Sequence, residues 1–183
     1  MGKKKEGNPQ ELSLRSQKGR TPIVTIGPAD RSDGIYIAYL TDQVFDVYGS
    51  YSPVVLQWFE SQRCLTLMAC AEKGPVGFVM IGPLLIDKGS SVTSEVLAIA
   101  VDPEYQAKGI GRMLLKAIEE EARKMHVERL ILHTASHNKA ALRLFEAHGF
   151  RTKRSISRFY PNGQDAFEMM KILSRKKRFS PSE

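Results

Sequence analysis

Cysteine is scarce: the 183 residues hold two, Cys64 and Cys70. Both lie in a stretch that reads as a strand, Cys64 to Glu72. Six residues at about 3.4 Å each would put them on one face and roughly 20 Å apart, beyond the roughly 7 Å that a disulfide tolerates between Cα atoms. They are expected to be packed thiols in a reducing compartment. Long hydrophobic runs are lacking too. None approaches the roughly 18 apolar residues of a membrane span, and the N-terminus carries no apolar leader, so a cytoplasmic protein is expected. Metal chemistry is poorly provided for. Of four histidines, His133 and His137 straddle a strand end and a loop, with no third ligand at a useful spacing, and no metal is expected.

What is present is a globular composition, 42% apolar and 26% charged, at the size of one ordinary domain. The net charge of +7 belongs to the two ends. Residues 1–20 carry six bases against Glu6 and Glu11, and residues 174–183 carry Arg175, Lys176, Lys177 and Arg178 against Glu183. The 17 bases and 17 acids between them cancel. Residues 1–20 and 174–183 are expected to be basic, disordered tails around a domain at 21–173, with a weak RNA or ribosome contact as their functional option.

The pattern alternates strands and helices. Ile23 to Ile26 reads as a strand ended by Gly27-Pro28. Ser32 to Phe45 and Ser52 to Gln62 read as helices around a loop with Gly49, the second opened by Ser52 as a cap and Pro53 in the first turn. Leu65 to Ala71 and Val76 to Ile86 form an antiparallel hairpin. Ser94 to Val101 is a central strand, with Glu95, Leu97, Ile99 and Val101 expected on one face and Val96, Ala98 and Ala100 on the other. Glu95 is the anomaly on it. A helix over Gly109 to Met125, with Leu114, Ala117, Ile118, Ala122 and Met125 as its buried stripe, leads to a parallel strand, Arg129 to Thr134. A shorter helix, Asn138 to His148, ends at Gly149. Ile156 to Tyr160 and Ala166 to Leu173 flank Asn162-Gly163, which predicts a tight hairpin. The fold class is α/β, a mixed sheet.

Chemistry concentrates in Val101 to Arg112, where a strand ends, a loop with Gly109 and Gly111 follows, and a helix begins. Backbone N–H groups converge there on the positive end of a helix dipole, which suits phosphate, and both glycines would let an anion approach. The third glycine of a dinucleotide fingerprint is replaced by Leu114, and no Gly-Lys-Ser/Thr follows.

Gln106, Gly109 and Gly111, just after Ile99-Ala100-Val101-Asp102-Pro103, match the acetyl-CoA motif of the GCN5-related N-acetyltransferases (GNAT), which the sequence resembles over about residues 23–173. Asn138-Lys139-Ala140-Ala141 through Gly149-Phe150 matches a second signature. Phe159 to Phe167 is similar to the closing hairpin of the N-terminal and ribosomal-protein alanine acetyltransferases. The resemblance implies a GNAT-like sheet, mostly antiparallel with a central parallel βαβ unit and flanking helices, and acetyl-CoA as co-substrate. It places the CoA pyrophosphate on Ala107, Lys108, Gly109, Ile110, Gly111 and Arg112, the pantetheine along Ile99, Ala100 and Val101, the oxyanion on the Val101 N–H, and Asn138 near the pantetheine end.

Acetyl transfer needs a neutral amine. An α-amine is roughly 10–20% neutral at pH 7 and a lysine well under 0.1%, a gap worth roughly 3.4 kcal/mol, so a weak base suits an N-terminal α-amine. Glu95, eleven residues before Gln106, matches the family's base, and His133, five before Asn138, is the second candidate. The family's acid tyrosine is replaced by Phe145, and Tyr160 is its candidate substitute. The expected function is acetyl transfer from acetyl-CoA to a protein or peptide N-terminus. A small-amine acetyltransferase and a non-catalytic acyl-CoA-binding domain remain open, and Asp42 and Asp46 would attract a cation or face water.

Overall fold

The computed structural model describes residues 23–86 and 91–173. The two expected basic tails lie outside them. Among the described residues four α-helices flank one sheet, and none of these helices is long and apolar enough to cross a membrane.

The strands are β1 (Thr25–Pro28), β2 (Leu65–Ala71), β3 (Gly74–Ile81), β4 (Leu85–Ile86), β5 (Val92–Val101), β6 (Arg129–Ala135), β7 (Arg151–Ile156) and β8 (Ala166–Ile172). Their order is β1-β2-β3-β5-β6-β8-β7, with the short β4 paired to β5. Among the described strands only β5 and β6 run parallel. Helices α1 (Gly34–Phe45) and α2 (Ser52–Glu60) cover one face, and α3 (Ile110–Lys124) and α4 (Lys139–Ala147) the other. This is the expected mixed, mostly antiparallel sheet around a βαβ unit.

Alternation along the strands feeds two cores. Leu67 and Ala69 pack with Leu114, Leu115 and Ile118 of α3, whereas Met68, Phe78 and Met80 pack with Ile37, Leu40 and Val55 of α1 and α2. Burying each such large side chain contributes about 1.5–3 kcal/mol. Met125, expected on the α3 stripe, is 37% exposed, and Ile110 and Leu115 take the buried positions. The helix ends at Lys124, which carries Met125 out of the stripe.

Several boundaries differ from expectation for local reasons. β1 includes Gly27 and Pro28, because on an edge strand a proline forfeits no ladder bond on its open side. The run after Val76 breaks at Gly82-Pro83, leaving β4 as a separate pair of residues. Ser52 does not cap α2: Tyr51 holds that position without a side-chain bond, and Pro53 sits in the first turn. The last hairpin is not tight. Its first strand is the polar, exposed segment Arg151–Ile156, whose edge position asks for no apolar alternation. Residues 157–165 form a loop held by Asp165 Oδ1, which accepts from the Arg158 N–H at 2.8 Å. The Gly163 N–H closes a turn on Tyr160 O at 2.8 Å.

The two thiols are free and half-buried against the α1–α2 core, and burial pushes both up from the ordinary cysteine range.

Candidate active site

Two features of β5 shape the site. The first is a bulge. Met80 pairs with Ala98 but Ile81 pairs with Val96, so Leu97 is an extra residue. Leu97 therefore packs with Ala98 and Ala100 in the α1–α2 core, whereas Val96 joins Ile99 and Val101 in the other. Alternation from Val96 sets Glu95 on the α1–α2 face, opposite Ile99 and Val101. The expected single face of Glu95, Leu97, Ile99 and Val101 is thus split, because strict alternation assumes an unbroken strand.

The second feature is an opening. The β5–β6 ladder runs from Thr93–Arg129 to Val96–Leu132 and stops, although β5 continues to Val101 and β6 to Ala135. Beyond the stop, β5 has a strand partner on one side only, β3. The Asp102 N–H donates to Val76 O at 2.9 Å, so alternation aims the N–H groups of Val101 and Ile99 into the opening. Ala100, expected along the pantetheine, turns its backbone to β3 instead. Its carbonyl lies 2.7 Å from where a Cβ on Gly77 would stand. Gln106 closes the outer end by donating from Nε2 to Val101 O at 3.0 Å.

At that end the chain makes an anion cradle. Ala107 (φ +58°) and Gly109 (φ +84°) flank Lys108, an alternation that gathers consecutive N–H groups into a concavity. The first bond of α3 runs from the Met113 N–H to Gly109 O at 3.1 Å, so Ile110, Gly111 and Arg112 have no helix acceptor for their N–H groups. Space beside Gly109 is open, but a Cβ on Gly111 would stand 3.2 Å from Leu144 Cδ2. Gly111 thus also serves the approach of α4 to α3. Lys108 folds back, donating from Nζ to Glu104 O at 2.8 Å and lying over the Tyr105 ring.

On the α1–α2 face the structure brings together Glu95 and His133. The Glu95 carboxylate accepts from Nδ1 of His133 at 2.8 Å. That bond is the largest cause raising the His133 pKa above 6.5. Nε2 lies 3.4 Å from Oε2 of Glu168, which also accepts from Arg154 at 2.7 Å. Sequence reasoning missed Glu168. Its signal is a lone carboxylate in an apolar strand, directly opposite His133 in the β6–β8 register.

Phe159 stacks on His133 with ring centroids 4.6 Å apart. Tyr160 continues the wall, 4.9 Å from Tyr48 and 6.1 Å from Tyr51 between centroids. Burial, then Tyr51 and Tyr48, push the Tyr160 hydroxyl well above its ordinary pKa. The hairpin loop is fastened to the α1–α2 connection: Asn162 Nδ2 and Gln164 Nε2 both donate to Val47 O, at 2.5 and 3.2 Å. Gly49, at φ +124°, meets Pro161 so closely that a Cβ would stand 3.1 Å from it. Asn138 caps α4, accepting from the Ala141 N–H at 3.1 Å, and donates from Nδ2 to the Tyr48 hydroxyl at 3.0 Å. Phe145 is buried, 4% exposed, edge-on to Phe150.

Comparison with known proteins agrees with this geometry. The family model described as "Acetyltransferase (GNAT) family" matches residues 33–150. N-alpha-acetyltransferase 30 of Saccharomyces cerevisiae is 27% identical over 136 residues, 72% of this chain and 77% of the relative. The [Ribosomal protein bS18]-alanine N-acetyltransferase of Salmonella typhimurium is 31% identical over 105 residues, 57% of this chain and 67% of the relative. Arabidopsis thaliana NAA60, solved with a bisubstrate analogue, superposes with a TM-score of 0.74 at 16% identity, over 84% of this chain and 99% of that one, a likeness of fold. With a family match over well more than half its length, on a fold that opens β5 beside a helix N-terminus, the chain belongs to the acetyltransferase (GNAT) family.

Proposed function

We propose that this chain moves acetyl from acetyl-CoA directly to the free α-amine of a protein or peptide N-terminus. The observation that carries the acceptor class is the roof over His133. Loop 157–165 is bonded to Val47 and packed on Tyr48, and we read a loop so fastened beside the base as favouring the approach of a chain end over that of a mid-chain lysine, which needs room for the chain on both sides. The names of the two relatives, an N-alpha- and an alanine N-acetyltransferase, support the same acceptor.

The residues present fit acetyl-CoA, since β5 offers a free edge and the loop after it an open cradle. The N–H groups of Ala107 through Arg112 would hold the pyrophosphate, and those of Val101 and Ile99 the pantetheine as an added strand partner. Asn138 has a second Nδ2 hydrogen for the arm. When bound, acetyl-CoA supplies the thioester carbonyl that the amine attacks. The Val101 and Ile99 N–H groups, both aimed into the opening, are the backbone donors that would polarise the thioester carbonyl.

Glu95 and His133 act as one base. By accepting the Nδ1 proton, Glu95 fixes the tautomer that leaves Nε2 as the proton acceptor. Such a base contributes roughly 10²–10⁴ in rate. Tyr160, its pKa raised by burial, keeps its proton, packs as wall against Tyr48 and Tyr51, and stays a candidate donor to the leaving thiolate. A thiol of pKa about 8.5 leaves tolerably as thiolate, so Phe145 is compatible with turnover.

The test is CoA release with two peptide pools, one with free N-termini and no lysine, the other N-terminally blocked and lysine-containing. Transfer confined to the first supports the reading; transfer confined to the second overturns it. We further place this work in the cytoplasm, with a weak RNA contact through the basic ends. RNA affinity insensitive to salt, or to deletion of 1–20 and 174–183, would count against that contact.

A further inference from the structure

His133 has two carboxylate neighbours, and the base reading uses one. Glu95, from β5, takes Nδ1. On the other side of the ring, β8 delivers Glu168, whose Oε2 stands 3.4 Å from Nε2. Arg154, from β7, bonds the same oxygen, and its guanidinium is the first cause holding the Glu168 carboxyl below its usual range. Phe159 from the hairpin loop covers a ring face.

Tautomer logic makes this arrangement informative. With Nδ1–H given to Glu95, a neutral imidazole turns its Nε2 lone pair toward an ionised carboxylate. Two acceptors then face each other with no hydrogen to share. Without an acceptor substrate, the ring's own second proton fills that need, in line with the raised His133 pKa. In the working complex the ring releases that proton to solvent, and an alkylammonium brings the hydrogens instead.

The geometry points to Glu168 as the seat of the acceptor's ammonium, an amine-binding residue beyond the Glu95–His133 base. The incoming R–NH3⁺ keeps one N–H on Glu168 while a second N–H bond breaks. Its proton goes to Nε2 and its electron pair stays on the amine nitrogen, which is then free to attack. Among the described residues both partners of Glu168 use Oε2, which leaves Oε1 for the ammonium. The side chains of Glu168, His133 and Glu95 are 18%, 15% and 31% exposed, so the seat is reached from solvent without being dissolved in it. An ordinary imidazole lies about 1.3 pKa units below an α-ammonium, an unfavourable ratio of roughly 20-fold, and Glu95, bonded to the ring and not to the amine, narrows it.

This inference rests on the α-amine reading above, and the experiment separates the two. Glu168→Gln keeps size and shape and removes the charge. We expect the KM for a free-N-terminus peptide to rise about 10-fold or more, the KM for acetyl-CoA to stay within about twofold, and the His133 titration midpoint, read from the ring nitrogens by NMR, to fall; Glu168→Asp should restore part of each. Should Glu168→Gln fail to fold, Arg154→Gln, on a side chain 66% exposed, removes the cation that competes with the ammonium for Glu168 and should lower the peptide KM severalfold. A merely structural cross-strand pair would change thermal stability and leave the peptide KM and the midpoint alone, which would overturn the seat. If the wild type acetylates no free-N-terminus peptide, the acceptor reading falls by itself, and an unmoved His133 midpoint in Glu168→Gln would then overturn the seat independently.

Discussion

Glu95→Gln separates the charge of the dyad from its geometry. The amide oxygen of glutamine can still accept the Nδ1–H that Glu95 accepts at 2.8 Å, so the tautomer is kept and the negative charge is lost. A hydrogen bond to a charged partner is worth about 1.5–3 kcal/mol, which corresponds to roughly 10- to 150-fold in rate if the interaction is realised as the imidazolium forms. Since Glu95 raises the His133 pKa, the wild-type rate should climb with pH through a value above 6.5, and in the variant that limb should move down toward the ordinary histidine value. Affinity for CoA should hold within about twofold, because the bulge at Leu97 sets Glu95 on the opposite face from Ile99 and Val101. The same shift bears on stability. A folded pKa above the unfolded one stabilises fully below about 6.5 and is lost as pH rises through the folded value. Glu95→Gln should therefore cost more stability at pH 6 than at pH 9. The assay is CoA release against pH on a free-N-terminus peptide, with denaturant unfolding at both pH values. An unmoved limb with a rate within twofold of wild type would refute the dyad.

Phe145→Tyr should lower the melting temperature and leave kcat unimproved, because the new hydroxyl would be buried beside Phe150; an unpaired buried donor costs about 1–3 kcal/mol, and a tenfold gain in kcat would show that this position reaches the thiolate. Gly77→Ala should destabilise by about 1–3 kcal/mol, since its Cβ would stand 2.7 Å from the Ala100 carbonyl oxygen and must move the central strand; thermal unfolding checks it. Gly109→Ala, at φ +84° with open space beside it, should cost about 1–2 kcal/mol of backbone strain and raise the KM for acetyl-CoA with the peptide KM little changed. An unaltered acetyl-CoA KM would remove the cradle from cofactor binding.

The layers of the fold were legible because their signals are local. Leu114, Ile118 and Ala122 at helical spacing announce α3, and the alternating apolar residues of β2, β3 and β6 announce their strands. What misled was context. Pro28 reads as a stop, yet an edge strand accepts it. Arg151–Ile156 carries five exposed residues of six and so has no apolar period to read. It is a strand because Met170, Met169, Glu168, Phe167 and Ala166 offer it a partner.

The site divides the same way. Gln106, Gly109 and the helix they open are contiguous, so their motif marks the cradle, and Gly111 in addition lets Leu144 approach. Glu95 and His133 lie 38 positions apart and read in the sequence as separate candidates; the parallel pairing of Glu95 with Ile131 places them side by side. The single inserted residue at Leu97 decides which face receives Glu95, and a bulge leaves no mark in a run as uniformly apolar as Val96-Leu97-Ala98-Ile99. Glu168 was the least visible, since its meaning depends on three strands at once: β8 to carry it, β6 to set His133 opposite, and β7 to supply Arg154. A residue whose role is to face another side chain across a sheet has no sequence neighbourhood that states the role. Register assigns it, and register is settled by the whole sheet.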